Sequence, residues 1–457
     1  MGGVIEIPVW FAVLAGLFAL VAVLDKLLFP SARWYLRKRL NRAVERLNTK
    51  LQLEIQPFKM TRRKVLIDRL AYDPLIMQAV AAHAAETGEP AEVVAHRAER
   101  YAREIVPHFS AFAYFGFAAR VARWLSQLLY RVRIGLLDEK AMAEVPPNST
   151  VVFVMNHRSN MDYVLVTYLA AERSALSYAV GEWARVWPLQ GFIRSMGAYF
   201  IRRKSRNPLY RCVLARYVQM ATEGGVAQAI FPEGGLSRTG HLGEAKLGLL
   251  SYIVKGFNAD GPRDVVFVPV GLNYDRVLED RVLLAAKDAN GKNKFSSGPL
   301  PVFRFIGHQL KLRITGKYHR FGYACVSFGK PVSLKGFLGR SEGELEEKIA
   351  TLGDSLMDDV GKVVPVLPVS LISSIMLEAG SLSAIGIKGA AHARLKAYAK
   401  QGVYSHIPHK DEDYAVDVGL RMLTLRHILV EEEGVFSVNE ENRNVLEYYA
   451  NAIAHLG

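Results

Sequence analysis

Apolar residues follow three different rhythms along this chain, and each predicts a different kind of element. Ile7–Leu24 is an uncharged apolar run of 18 residues, about 27 Å long as a helix and so near the thickness of a bilayer core. Behind it, Lys26–Lys50 carries eight basic residues against one acid, Glu45. That asymmetry orients a span with its N-terminus outside and the rest of the chain in the cytoplasm. No Lys or Arg precedes the run, which argues against a secretory signal. A buried or interfacial helix is the plainer alternative. Residues 31–145 read as mostly helical and basic, with Arg33, Arg37, Lys38, Arg39, Arg42 and Arg46 crowded behind the run. Such a face suits anionic headgroups, or else is simply solvated. Within it, Phe109–Tyr130 is apolar and aromatic, as either a core helix or an interfacial one.

From about 146 to 335 the rhythm changes. Val151–Met155, Ala198–Arg202, Val226–Phe231, Val265–Val270 and Tyr323–Phe328 are short β-rich runs, and Leu209–Glu223 between them has helical spacing. This alternation predicts an α/β layer fold. Arg281–Arg320 interrupts it with nine Lys or Arg against one Asp, as a loop or amphipathic excursion. Past 336 helical spacing returns. Ser341–Glu344 reads as a capping box and Gly361 as the end of the helix that follows. Pro365 and Pro368 break the apolar run Val363–Leu377, so it is no straight membrane span. Gly380 onward reads as a small helical unit ending in Tyr448–Leu456.

Composition narrows the partners. The net charge of +14 points to nucleic acid, an anionic lipid surface or phosphorylated substrates. No helix-turn-helix, zinc or aromatic-basic RNA signature is visible, which sets nucleic acid aside. The two cysteines, Cys212 and Cys325, are far apart and predict neither a disulfide framework nor a zinc site.

The chemistry-bearing pattern lies in Val151–Tyr163, where a β-branched run stops at Asn156 and the next residues bring His157 and Asp162 to a helix entrance. A neutral imidazole beside a carboxylate is suited to taking a proton from a hydroxyl. Alone, such a pair is most often an incidental polar contact. Three further signals follow it. Gly197–Arg203 ends a strand in Arg202 and Arg203, a place for bidentate phosphate capture or for a lipid-facing patch. Phe231–Gly240 carries Glu233, Gly234, Gly235, Ser237 and Arg238, either an anion cradle or an ordinary tight turn. Val265–Tyr274 runs through Pro269, and by itself reads as a core strand.

In this order and spacing the four segments resemble the blocks of the glycerolipid acyltransferase family. Asn156-His157-Arg158-Ser159-Asn160-Met161-Asp162 and Phe200-Ile201-Arg202-Arg203 are similar to its glycerol-3-phosphate and dihydroxyacetone-phosphate acyltransferase branch. The tail Tyr448–Leu456 is similar to that of bacterial membrane-bound members. Leu236 stands where the branch usually has an arginine. The resemblance implies an α/β acyltransferase core with a mixed sheet, flanked by N-terminal and C-terminal helical regions. With the apolar run of the N-terminus, the expected division is 1–30 membrane anchor, 31–145 basic helical region, 146–335 catalytic domain and 336–457 C-terminal helical domain.

The implied reaction moves a fatty acyl group from acyl-CoA or acyl carrier protein to the sn-1 hydroxyl of glycerol-3-phosphate, at the inner membrane of a bacterium. His157 would be the base and Asp162 its partner. Arg158, Ser159, Arg202, Arg203, Glu233, Gly234, Gly235, Ser237 and Arg238 would hold the acceptor, with Pro269 on the acyl-donor side. Backbone amides near Asn156–Ser159 are the expected oxyanion donors. Trp183 and Trp187 are either acyl-channel walls or core. No cofactor and no metal is expected, and an anionic phospholipid membrane is the expected partner. Dihydroxyacetone phosphate, 1-acylglycerol-3-phosphate and a non-catalytic membrane-surface role are the alternatives.

Overall fold

The β-branched run around Val151 becomes the middle strand of an eight-stranded sheet. The computed structural model describes residues 56–170, 176–181, 189–202, 205–285 and 321–457. Ile7–Leu24, the basic stretch to Lys50, Trp183, Trp187, Arg203 and most of Arg281–Arg320 lie outside the described residues. The strands are β1 (Arg131–Leu137), β2 (Thr150–Met155), β3 (Ser177–Gly181), β4 (Tyr199–Ile201), β5 (Gln228–Ile230), β6 (Val265–Tyr274), β7 (Tyr323–Phe328) and β8 (Val332–Ser333). Their order is β1-β7-β6-β2-β5-β3-β4, with β8 also on β6. β2 runs parallel to both β5 and β6, while β7 and β8 are antiparallel to β6, so the sheet is mixed.

All six residues of β2 are buried, the mark of a strand covered on both faces. Val152 and Val154 point into the main core with Phe267 of β6. That core is shared with the helices Arg63–Ala71, Ala91–Ile105, Pro208–Glu223 and Leu345–Val363. By the strand period of two, Phe153 faces the opposite layer, where its ring meets Phe328 of β7. From β2 the chain moves to β3, β4 and β5 on one side, and only later to β6 on the other. The carboxyl end of β2 is therefore a topological switch point, where open α/β sheets place ligands.

Every strand expected from the sequence is present. Six more were not expected, β3 and β8 in the main sheet among them. β1 lies in the stretch read as helical, although Arg131-Val132-Arg133-Ile134 alternates as a strand does; it pairs in parallel with β7. The C-terminal region is not wholly helical either. It holds β9 (Ser381–Ser383), β10 (Leu429–Glu432) and β11 (Val435–Val438) in a small antiparallel sheet. Glu433 and Gly434 both have positive φ, 51° and 78°, as a two-residue hairpin turn requires.

The capping-box expectation is corrected. Ser341 terminates the short helix Leu334–Arg340, its amide and hydroxyl both bonded to the Phe337 carbonyl. The long helix Leu345–Val363 starts after Glu344 without a side-chain cap and passes through Gly361. It stops just before Pro365, which disfavours helical backbone in the residue before it. Pro368 opens the next helix, Pro368–Ala379, where its missing N–H costs nothing. Phe109–Tyr130 becomes a π-helical segment, Phe112–Ala118, continued by the helix Ala119–Leu129. Tyr114 is buried there while Phe117 and Trp124 are exposed. Among the described residues no helix is long and apolar enough to cross a membrane.

Candidate active site

β2 ends because Asn156 turns its side chain into the sheet. Its amide donates to the Leu272 carbonyl at 2.9 Å and accepts the Leu272 N–H at 2.7 Å, extending the pairing with β6 by one side chain. The backbone is thereby released into the turn that carries His157. The helix Met161–Ala170 begins four residues later and puts Asp162 in its first turn, where a carboxylate meets the unpaired amides of a helix N-terminus.

His157 is 2% and Asp162 0% exposed, and His157 Nδ1 lies 2.9 Å from Asp162 Oδ2. The same oxygen accepts the amides of Arg158 at 2.7 Å and Ser159 at 3.0 Å, and Oδ1 accepts the Tyr274 hydroxyl at 2.6 Å. A buried carboxylate with four donors is acceptor-only, so Nδ1 carries the ring hydrogen and Nε2 keeps its lone pair. Among the described residues, Nε2 has no hydrogen-bond partner. The ring is also held by packing: it stacks on Phe231, centroids 4.2 Å apart, and meets Tyr163 edge-on at 5.3 Å. Burial raises the Tyr274 hydroxyl pKa well above its usual value, and the Asp162 carboxylate beside it adds to the rise. The phenol therefore stays a donor.

Glu233 comes from the carboxyl end of β5. Its Oε1 accepts the His157 amide at 2.8 Å and its Oε2 the Gly243 amide at 3.1 Å. Burial raises its pKa, and these two amides oppose the rise. Both oxygens are thus occupied by backbone, and Glu233 holds the histidine rather than an acceptor hydroxyl. Ser237 acts similarly. Its amide bonds the His157 carbonyl at 2.9 Å, while its hydroxyl bridges the His241 carbonyl and the Gly240 amide. Gly234, at φ +67°, closes a turn back to the Phe231 carbonyl, and a Cβ there would sit 2.9 Å from Lys246 Cδ. The tight-turn reading of Gly234 holds; Gly235 is half-buried beside it.

Arg158 is buried, with one guanidinium nitrogen on the Gly240 carbonyl and the group 5.0 Å from the Tyr448 ring centroid. A Cβ on Gly240 would collide with the Tyr448 carbonyl, so the loop after β5 and the chain's tail are in direct contact. Ser159 and Asn160 bond Glu279, a partner that sequence reasoning missed. With His157, Arg158, Ser159 and Asn160 donating their amides to Glu233, Asp162 and Glu279, the expected oxyanion donors are already committed. That expectation is corrected.

The arginines divide. Arg238 is exposed and makes no ion pair among the described residues. Arg202 follows β4, three strands from β2, roughly 14 Å at about 4.8 Å per strand. Its guanidinium pairs with Glu104 through two bonds, 2.9 and 2.6 Å, and lies over the rings of Tyr101 and Tyr210. Pro269 sits inside β6 opposite Val154, where the other neighbour of β6 changes from β8 to β7. At that break a residue without an N–H is tolerated.

The comparisons with known proteins meet on the same segments. A family model described as Acyltransferase matches residues 138–273, and one described as Glycerol-3-phosphate acyltransferase C-terminal region matches residues 309–456. Proteins named glycerol-3-phosphate acyltransferase from Pseudomonas entomophila (strain L48) and Pseudomonas putida (strain W619) are 28% and 27% identical to it. Each alignment covers 87% of this chain and 49% of the relative, so the chain spans about half the length of the curated relatives it matches. A solved 1-acyl-sn-glycerophosphate (LPA) acyltransferase from Thermotoga maritima is 19% identical, covering 65% of this chain and 97% of its own. Its TM-score is 0.33, too low to carry an argument. The acyltransferase match encloses the histidine, its carboxylate and the loop that clamps them, and the second match encloses the tail packed on that loop; the chain carries an acyltransferase domain and a region similar to the C-terminal region of glycerol-3-phosphate acyltransferases.

Proposed function

We propose that the chain transfers a fatty acyl group from a thioester, acyl-CoA or acyl carrier protein, to the sn-1 hydroxyl of glycerol-3-phosphate. The observation that carries this reading is His157, its Nδ1 bonded to Asp162 at 2.9 Å and its Nε2 left without a partner. Nε2 takes the hydroxyl proton as the oxygen attacks the thioester carbonyl. When the tetrahedral intermediate collapses, the new C–O bond stays, the C–S bond breaks and the thiolate recovers the proton from the imidazolium. Asp162 fixes the tautomer and offsets the charge of the imidazolium. Direct transfer is favoured because neither serine of the motifs bonds the imidazole: the Ser159 hydroxyl donates to Glu279 and the Ser237 hydroxyl to the His241 carbonyl. Arg238 is the candidate for the acceptor phosphate, being exposed and without an ion-pair partner among the described residues. No cofactor is assigned beyond the two substrates.

In this reading Ile7–Leu24 anchors the chain in a membrane, and the product is released at the surface where further acylation occurs. The divisions at residues 30, 145 and 335 remain part of the proposal. Leu236, in place of an arginine, keeps dihydroxyacetone phosphate as the second acceptor. The test is acyl transfer by the purified chain from radiolabelled palmitoyl-CoA and from palmitoyl carrier protein. Glycerol-3-phosphate, dihydroxyacetone phosphate and lysophosphatidic acid are offered separately. Preferred acylation of glycerol-3-phosphate is expected. Use of another acceptor alone contradicts the acceptor assignment, and no product with any pair contradicts catalysis.

A further inference from the structure

Glu279 lies close to the catalytic turn, yet the reaction scheme gives it no task. It follows β6 and reaches across to the turn after β2. Its Oε2 accepts the Ser159 hydroxyl at 2.7 Å and its Oε1 accepts the Asn160 amide at 3.2 Å. Ser159 Oγ in turn accepts the Met161 amide at 3.1 Å, so the three groups fix the first turn of the helix that bears Asp162. Burial raises the Glu279 pKa, and the bonds from Ser159 and Asn160 oppose the rise.

Two neighbouring acids tie the same segment down elsewhere. Asp275 accepts the amides of Tyr323 at 2.7 Å and Val369 at 3.0 Å. Asp280 accepts the Arg426 guanidinium and the Tyr449 hydroxyl, and Arg426 also donates to the Tyr449 oxygen at 3.0 Å. The Tyr449 oxygen accepts the Val277 amide at 3.0 Å as well. Residues 275–280 are thereby held to the sheet, to the catalytic turn and to the C-terminal region at once.

We propose that Glu279 is a positioning residue for acyl transfer. It sets the turn Asn156–Met161 so that Asp162 meets the imidazole, and Asp280 makes that setting depend on Arg426 and Tyr449. The inference rests on the acyl-transfer reading. Glu279 bonds the hydroxyl and backbone of the turn, not the imidazole, so its loss acts on the rate more than on substrate binding.

The experiment compares wild type, Glu279→Ala, Glu279→Gln, Ser159→Ala, the Glu279→Ala/Ser159→Ala double variant and Tyr449→Phe in the full chain. Glu279→Ala is expected to lower kcat about 10- to 100-fold, with KM for glycerol-3-phosphate nearly unchanged. Glu279→Gln keeps one acceptor oxygen and recovers part of the rate. The double variant loses less than the product of the two single losses, because the Ser159–Glu279 bond is common to both. Tyr449→Phe shows a smaller loss in the same direction. Unchanged kcat in Glu279→Ala, a change confined to KM, or additive losses in the double variant would overturn the proposal. Should Glu279→Ala not fold, Glu279→Gln and Ser159→Ala decide it, and full kcat in both overturns it. An inactive wild type defeats the acyl-transfer reading separately. Hydrogen exchange at residues 158–162 then decides, with faster exchange in Glu279→Gln expected and unchanged exchange overturning the proposal.

Discussion

Two charged turns leave the same sheet, one after β2 and one after β4, and they are built in opposite ways. After β2, four consecutive amides, a serine hydroxyl and an imidazole are taken up by Asp162, Glu233 and Glu279, which arrive from a helix, from β5 and from β6. This leaves His157 Nε2 without a hydrogen-bond partner among the described residues, along with Nε and one terminal nitrogen of the buried Arg158 guanidinium. After β4, Arg202 is committed through two bonds to Glu104 and packed over two tyrosine rings. The first turn spends its hydrogen bonds on fixing a buried imidazole. The second spends its charge on joining the strand to the helix Ala91–Ile105. A guanidinium near a motif is therefore not by itself a phosphate site, whereas four bonded amides in a row hold the imidazole of His157 in one orientation.

The sharpest way to break this comparison is Asp162→Asn. An amide at this position either forces the other imidazole tautomer or leaves a donor facing a donor, so kcat should fall about 10²- to 10⁴-fold with little change in KM. Steady-state kinetics with glycerol-3-phosphate check it. A change in KM alone would make Asp162 a binding group. Next comes the contrast between the arginines. Arg238→Ala should raise KM for glycerol-3-phosphate about 10- to 100-fold, the worth of a hydrogen bond to a charged group. Arg202→Ala should lower the melting temperature, by removing both bonds from the guanidinium to Glu104, and change KM less. If Arg202→Ala has the larger KM effect, the turn after β4 belongs to the site and the comparison fails.

Glu233→Gln sharpens the first turn further. A glutamine accepts at only one of the two positions, leaving the His157 or the Gly243 amide unmet at a cost of about 1–3 kcal/mol. Melting temperature and kcat should fall together, the latter about tenfold. A loss of glycerol-3-phosphate binding at unchanged kcat would return Glu233 to the acceptor. The smallest expected effect concerns Asp275, which shares with Glu279 the segment after β6. Burial pushes its pKa from 3.8 up to about 7. The folded state thus holds a proton that the unfolded chain releases, and this group's contribution to stability is full below pH 3.8 and is lost as pH rises to about 7. Melting curves across that window should be flatter in Asp275→Asn than in wild type.

These contrasts also separate what the sequence made legible from what it hid. His157, Asp162 and the strands before each block were readable because β-branched runs stop abruptly at residues with chemistry. Pro365 and Pro368 were readable as a break in the apolar run Val363–Leu377, and one helix ends and the next begins there. The partners were not readable. Glu279 lies 120 residues from Ser159 and is one acid among 44 acidic residues. Glu104 falls in a stretch read only as a basic helix. Glu233 was visible, but whether its oxygens face a ligand or two amides depends on how β5 lies beside β2. Tyr274 stood at the end of a quoted block and went unnoticed, since a tyrosine closing an apolar strand is ordinarily core. β1 was missed although Arg131–Ile134 alternates, because its arginines matched the basic helical segments around it.

The most direct test of the central claim is single-turnover acyl transfer by wild type and His157→Ala, with palmitoyl thioester and glycerol-3-phosphate, followed across pH. The account predicts product without a covalent acyl-enzyme in wild type, and a rate lower by about 10²- to 10⁴-fold in the folded variant. A variant that keeps the wild-type rate, or an acyl group trapped on the wild-type protein, would contradict His157 as the base of a direct transfer.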